Sequence, residues 1–234
     1  MISVFMSSNR PYLWQRFYER LAPTALKIKF EVVVVGPSKA DFELPNNFRH
    51  IVTEDIKPTQ CLEIALRNSQ YDLVICMGDD HHFWPDGGGL DTLLSEHHEN
   101  NDAVILPMFR DCGRYVLLTY NKLPNAPVCA LNAALFNKKI MKHGIDKRFI
   151  GSFWDYDLGM QFLEDGHSII TSKTVVCVEH RVQSLPNQKS LCGACKFHDH
   201  GILDKLWCRP TAKDEKIPSD TTWCLGRKSN TVLS

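Results

Sequence analysis

Four consecutive valines, Val32 to Val35, follow Glu31 and stop at Gly36-Pro37. A β-branched run with no polar alternation fits a strand covered on both faces, as in a parallel sheet with helices above and below it. The neighbouring sequence repeats the theme. Ile2 to Met6 is a short apolar run closed by Ser7-Ser8-Asn9-Arg10-Pro11. From Pro11, a residue suited to a first helical position, Leu13, Trp14, Phe17 and Leu21 form one apolar stripe. A second helix is expected over Pro58 to Asn68, burying Cys61, Leu62, Ala65 and Leu66, and Leu73 to Met77 reads as a third strand. Gly87 to His98 is expected to be helical, with Leu90, Leu93 and Leu94 inward, and Ala103 to Leu106 is a fourth strand. Strand and helix therefore alternate through residues 1–106, which predicts an α/β fold with a mainly parallel sheet.

The next stretch continues less regularly. Tyr115 to Tyr120 reads as a strand, and Asn132 to His143 as a strand end running into a helix closed by Gly144. Tyr156 to Glu164 is a helix stopped by Gly166, and Thr174 to Val178 a further strand. Pro186 to Ser234 is polar, rich in Cys, His, Lys and Pro, and weakly periodic, so residues 185–234 are expected to form an appended arm or small subdomain.

Composition sets outer bounds. The 234 residues suit one domain with an appendage. Lys plus Arg and Asp plus Glu both number 27, which argues against holding nucleic acid or membrane by bulk charge. No run of about 18 apolar residues is present, and the N-terminus lacks the pattern of a signal peptide. Nine cysteines with no such signal favour free thiols and a cytoplasmic location over a disulfide framework.

In an open α/β sheet, ligands bind beyond the carboxyl ends of the strands. Ser7 to Pro11, Gly36 to Lys39 and Gly78-Asp79-Asp80-His81-His82 all stand at such ends. Two adjacent carboxylates after a buried strand are costly unless something compensates them. One compensator is a divalent cation carried on a nucleoside diphosphate, because hard oxygen ligands suit Mg²⁺ or Mn²⁺. The other is solvent, with the Asp residues capping the next helix. His82, His97 and His98 read most simply as surface residues.

Three segments, in order, resemble the GT-A fold glycosyltransferases, particularly the inverting family 2. YDLVICMGDDHHFWPDGGGLDTL resembles the family's metal-binding segment, with Asp79-Asp80 and Pro85-Asp86 matching in order and spacing. HGIDKRFIGSFWDYDLGMQFLEDGHSI resembles the acceptor-side segment, and SSNRP the opening strand and turn. The resemblance covers roughly residues 1–180. It implies a GT-A domain over 1–184, with a donor-binding half at 1–106 and an acceptor half at 107–184.

It further implies a nucleotide-diphosphate sugar as donor, an acceptor hydroxyl, and Mn²⁺ or Mg²⁺ held by Asp80, Asp79 and His180. Ser7, Asn9, Arg10, Gly36, Asp79 and Arg181 are the implied donor contacts. Asp155 is the implied general base, with Asp157 the alternative, and Trp154 either walls the acceptor pocket or packs structurally. The sequence departs from the family where Gly36-Pro37-Ser38 replaces an Asp-rich turn, where His81 stands at a third acidic position, and where Trp154-Asp155 replaces Glu-Asp.

The arm adds Cys192-Gly-Ala-Cys195 with His198 and His200 nearby. These residues are either a tetrahedral Zn²⁺ site, free thiols in a loop, or a segment folded over the active site. The leading expectation is a metal-dependent, inverting glycosyltransferase. The alternatives are nucleotidyl transfer on the same fold and a non-catalytic zinc-binding or interaction module. The acceptor stays open, from a polysaccharide to a modified nucleobase in DNA. The small size and unusual arm would suit a viral enzyme working in a host cytoplasm.

Overall fold

The computed structural model describes residues 1–40, 42–54, 56–111, 114–116, 121–123, 126–128, 131–146, 148–151 and 154–179. In chain order the first elements are β1 (Ile2–Ser7), α1 (Trp14–Leu21), β2 (Phe30–Gly36), β3 (Phe48–Val52), α2 (Pro58–Arg67) and β4 (Leu73–Cys76). They continue with β5 (His81–Phe83), α3 (Leu90–Glu99), β6 (Val104–Asp111), β7 (Arg114–Val116), β8 (Asn121–Leu123) and β9 (Ala126–Val128). The last are β10 (Leu135–Asn137), α4 (Trp154–Glu164) and β11 (Ile169–Glu179). No helix among the described residues is long and apolar enough to cross a membrane.

One sheet runs in the order β3-β2-β1-β4-β10-β6-β11-β5, with β7 paired to β6, and β8-β9 form a separate hairpin. β3, β2, β1 and β4 are mutually parallel. β10 is antiparallel to both β4 and β6, and β11 is parallel to β6. The long strands therefore share one direction, with β10 reversed in their midst. The valine run behaves as its composition demands: Val32 and Val34 join a core on one face of the sheet, Val33 and Val35 a core on the other. The first core holds Trp14, Phe17 and Leu21 of α1 with Leu90 and Leu93 of α3. The second holds Cys61, Leu62, Ala65 and Leu66 of α2 with Leu158 and Phe162 of α4.

Several boundaries differ from expectation. The chain makes a 3₁₀ turn at Pro11–Leu13 before α1 begins. α3 starts at Leu90 rather than Gly87, because Gly88 adopts φ +79, which ends any helical run there. Asn132 to His143 holds the expected strand but no α-helix. Its Leu135–Asn137 is the reversed strand β10, followed by a single 3₁₀ turn at Lys138–Ile140. β11 is twice the expected strand, with a register shift between Thr171 and Val176. β3 and β5 were not anticipated. Of the expected strand from Tyr115 to Tyr120, residues 117–120 lie outside the described residues; Tyr115 and Val116 belong to β7.

Candidate functional site

β1 and β4 are neighbours, with Phe5 opposite Cys76, so the segments leaving their carboxyl ends meet. There Ser8 donates its hydroxyl to Asp79 Oδ2. The same hydroxyl oxygen accepts from the Trp14 indole Nε1 at 2.8 Å and from the Arg10 backbone N–H at 3.0 Å. Arg10 forks across the acidic pair: Nε donates to Asp79 Oδ2 at 3.1 Å, and Nη2 donates to Asp79 Oδ1 and, at 2.9 Å, to Asp80 Oδ2. The Asp79 side chain is only 2% exposed. Burial pushes its carboxyl up, opposed by the hydrogen bonds and charge of Arg10 and the Ser8 bond, and Asp80 adds to the rise. Burial also works against the Arg10 charge, but the bonds and charges of Asp79 and Asp80 outweigh it and the guanidinium is held more firmly protonated.

Both Asp79 oxygens are thus committed to Ser8 and Arg10. The donor set open to a cation lies one residue further on. β5 pairs antiparallel with β11 and sets His81 opposite Glu179. Asp80, His81 and Glu179 bring potential ligand atoms within 4.8 Å of one another. Two carboxylates suit a hard divalent ion. His81 Nδ1 accepts the Gly78 N–H at 3.0 Å, so the neutral ring carries its proton on Nε2 and serves there as a donor. Asp80 and Glu179 are therefore the residues that fit a divalent cation, with His81 beside them as a donor to an anionic group.

Gly36 ends β2 alongside. A Cβ there would lie 1.9 Å from the Ser8 carbonyl oxygen, so glycine is required for the β2 end to pass the Ser8 backbone. Its own carbonyl accepts from Thr53 N at 3.3 Å and from His50 Nε2 at 3.1 Å. Ser7 closes β1, and Asn9 is exposed in the turn beyond.

Asp155 sits in the first turn of α4, buried, and close enough to Cys76 at the end of β4 that its charge adds to the upward push of burial on that thiol. Its place at the helix N-terminus favours the ionised form, and burial opposes it. Desolvation dominates, the backbone N–H groups of Asp155 and Tyr156 offset it only in part, and the pKa is pushed up to about 6.

Asp157 stands two residues on, about 200° around the helix. Gln161 Nε2 donates to it at 2.7 Å. It lines an open cleft of about 660 Å³ with Lys57, His143 and Arg148. Trp154 packs against the α2–α4 core.

His180, Arg181, Cys192, Cys195, His198 and His200 lie outside the described residues. Ser8, His81 and Glu179 are the members that sequence reasoning missed. Ser8 stood in the quoted turn but its neighbours were chosen. Glu179 is joined to the acidic pair only by the β5–β11 pairing, which no local pattern announces. His97, expected at the surface, is buried at 1% exposure.

This is the GT-A fold. Among solved structures the chain is similar to S. aureus TarS at 14% identity and TM-score 0.55, over 87% of this chain and 40% of that one. A TarS 1–349 complex with UDP matches at 15% identity and TM-score 0.55, over 76% of this chain and 60% of that chain. A complex with UDP-GlcNAc matches at 14% identity and TM-score 0.54, over 87% of this chain and 66% of that chain. The chain thus spans 40% of the longer TarS chain. No family model matches the sequence. No curated protein matches it either.

Proposed function

We propose that the chain is a divalent-cation-dependent glycosyltransferase that moves a sugar from a nucleoside diphosphate to an acceptor hydroxyl with inversion. One observation carries this reading: Arg10, Asp79, Asp80, His81 and Glu179 converge at the carboxyl edge of the sheet, and a buried carboxylate, Asp155, with a pKa of about 6, stands near Cys76 at the carboxyl end of β4. The likeness in fold to TarS, solved with UDP and with UDP-GlcNAc, makes a uridine nucleotide sugar the first donor to test.

Each residue then has a task. Asp80 and Glu179 hold the cation, which when bound offsets the negative charge gathering on the departing diphosphate. Arg10 opposes the burial that raises the Asp79 carboxyl and holds it in place, and its guanidinium stands ready for the diphosphate. His81 Nε2–H donates toward the same oxygens. Ser7, Asn9 and Gly36 border the nucleotide, and His180 and Arg181, which follow Glu179 in the chain, are proposed to extend the diphosphate contacts. Asp155 accepts the proton of the acceptor hydroxyl as its oxygen attacks the anomeric carbon and the bond to the diphosphate oxygen breaks. A single displacement of this kind inverts the anomeric centre. Residues 1–106 supply the donor half and 107–184 the acceptor half.

The test is a panel of nucleotide sugars of different base and sugar, read by thermal shift and calorimetry with and without Mn²⁺. A cognate donor at one hundred times its Kd stabilises the folded state by about 2.7 kcal/mol. The expected result is stabilisation by one base class, larger with Mn²⁺. No binding by any nucleotide sugar in the presence of Mn²⁺ overturns the proposal.

A further inference from the structure

At the C-terminal end of α3, the end of the helix that leads into the start of β6, two histidines and an aspartate close on one point. His97 is buried, and its Nδ1 lies 2.7 Å from the Ala103 carbonyl oxygen. A carbonyl can only accept, so Nδ1 carries the proton, and in the neutral ring Nε2 presents a lone pair. That lone pair faces Asp102 Oδ1 at 3.4 Å, while His98 Nδ1 stands 3.3 Å from the same oxygen. Either a proton or a metal cation makes such contacts favourable, and the three side chains offer a metal its ligand atoms without rearrangement. The three ligand atoms lie within 4.8 Å of each other.

The distances fit a particular class of ion. Zinc bonds of about 2.0–2.1 Å to imidazole nitrogen and carboxylate oxygen, at tetrahedral angles, set ligand atoms about 3.3–3.4 Å apart. A ligating histidine almost always donates its other ring N–H to a carbonyl or carboxylate, as His97 does to Ala103. The backbone is bent to make the arrangement. Asn101 and Asp102 adopt φ 55 and φ 59, two successive left-handed residues without glycine, and turn the Asp102 carboxylate back over the last helical turn. The Asp102 N–H donates to the His97 carbonyl at 2.9 Å and fixes that reversal.

We infer that His97 Nε2, His98 Nδ1 and Asp102 form a binding site for a zinc-class divalent cation, separate from the Asp80–Glu179 cluster. It lies where the chain enters β6, at the opposite end of that strand from the catalytic edge. Two imidazoles and one carboxylate select a borderline transition metal over Mg²⁺ or Ca²⁺ and leave a fourth position for water. The bound ion staples the end of α3 to the turn that starts β6.

The experiment uses the 234-residue chain, stripped with chelator and then titrated with ZnCl₂ by calorimetry, beside a His98→Ala/Asp102→Asn double variant. Both changed residues are exposed, and Asn tolerates the left-handed backbone at position 102, so the variant is expected to fold with the melting temperature of the stripped wild type. The wild type should bind one more Zn²⁺ per chain than the variant, and zinc should raise its melting temperature further. With Co²⁺ as the probe, the wild-type-minus-variant spectrum should show the visible bands of a tetrahedral nitrogen–oxygen site and no thiolate charge-transfer band. That absence separates this site from the cysteines of the arm. Equal zinc stoichiometry in the two proteins, with equal thermal shifts, overturns the inference and leaves an ordinary histidine–carboxylate ion pair.

Discussion

Asp155 is held between two opposing demands. Burial makes its charge expensive, and the backbone N–H groups at the start of α4 recover only part of that cost. The folded-state pKa of about 6 stands above the ordinary 3.8, so between about pH 4 and 6 the folded chain binds more protons than the unfolded one. Stability contributed by this group is therefore present at acid pH and lost as pH rises through about 6. Two pKa units correspond to about 3 kcal/mol. Asp155→Asn should accordingly stabilise the protein by up to about 3 kcal/mol at pH 7.5 and by almost nothing at pH 3.5, measured by denaturant melts at both values. The same substitution should lower transfer by about a hundred- to ten-thousand-fold with donor affinity unchanged. In the wild type, turnover should climb with pH through a limb centred near 6. Asp157→Asn, by contrast, touches the Gln161 bond and should act on stability alone. If Asp157→Asn abolishes transfer while Asp155→Asn stays active, the base is the other carboxylate. The place of Asp155 at the start of a helix was legible in the sequence. Its raised pKa was not, because burial depends on α4 packing beside the end of β4.

At the scale of elements, what the sequence announced depended on length and periodicity. β1, β2, β4, α1 and α2 carry long one-sided or unbroken apolar runs, and each was located to within a few residues. β3 reads Phe-Arg-His-Ile-Val and carries no clean alternation, while β5 and β10 have three residues each, too few for any period to show. These strands exist because their neighbours supply hydrogen-bond partners, which is information held elsewhere in the chain. The contact between the end of β2 and the turn after β1 shows how tight such pairing is. Gly36→Ala sets a Cβ 1.9 Å from the Ser8 carbonyl oxygen, against backbone that cannot rotate away. The strands must part, and Ser8 moves with its bond to Asp79. A loss of about 3 kcal/mol is expected, at the upper end for overpacking, which for a chain of this size is a melting temperature lower by about 10 °C. Donor affinity should fall with it. A Gly36→Ala protein that melts with the wild type would show that the two strands have slack the geometry does not display.

The whole molecule explains why the site lies where it does. β1, β4, β6 and β11 point the same way, and β10 runs against them between β4 and β6. The carboxyl edge beside such a change of strand direction is where sheets of this kind bind ligands. The chain leaving β4 crosses that edge and re-enters the sheet as β5 beside β11, carrying Asp79 and Asp80 along it and delivering His81 to Glu179. The acidic pair was legible as a segment, but its partner lies about a hundred residues away in sequence, joined by topology alone. This crossing divides the labour of the two aspartates. Asp79 is held by Ser8 and Arg10, while Asp80 shares Arg10 and also lies within ligand distance of His81 and Glu179. Donor and cation should therefore bind with mutual reinforcement, because each offsets charge that the other brings. Glu179→Gln removes one of the two carboxylates without touching the Ser8–Arg10–Asp79 network. It should leave donor affinity measured without metal unchanged and erase most of the gain that Mn²⁺ confers, about tenfold or more by calorimetry. Should Glu179→Gln respond to Mn²⁺ as the wild type does, while Asp79→Asn loses the response, the cation sits on the buried aspartate instead and the assignment of the two carboxylates must be exchanged.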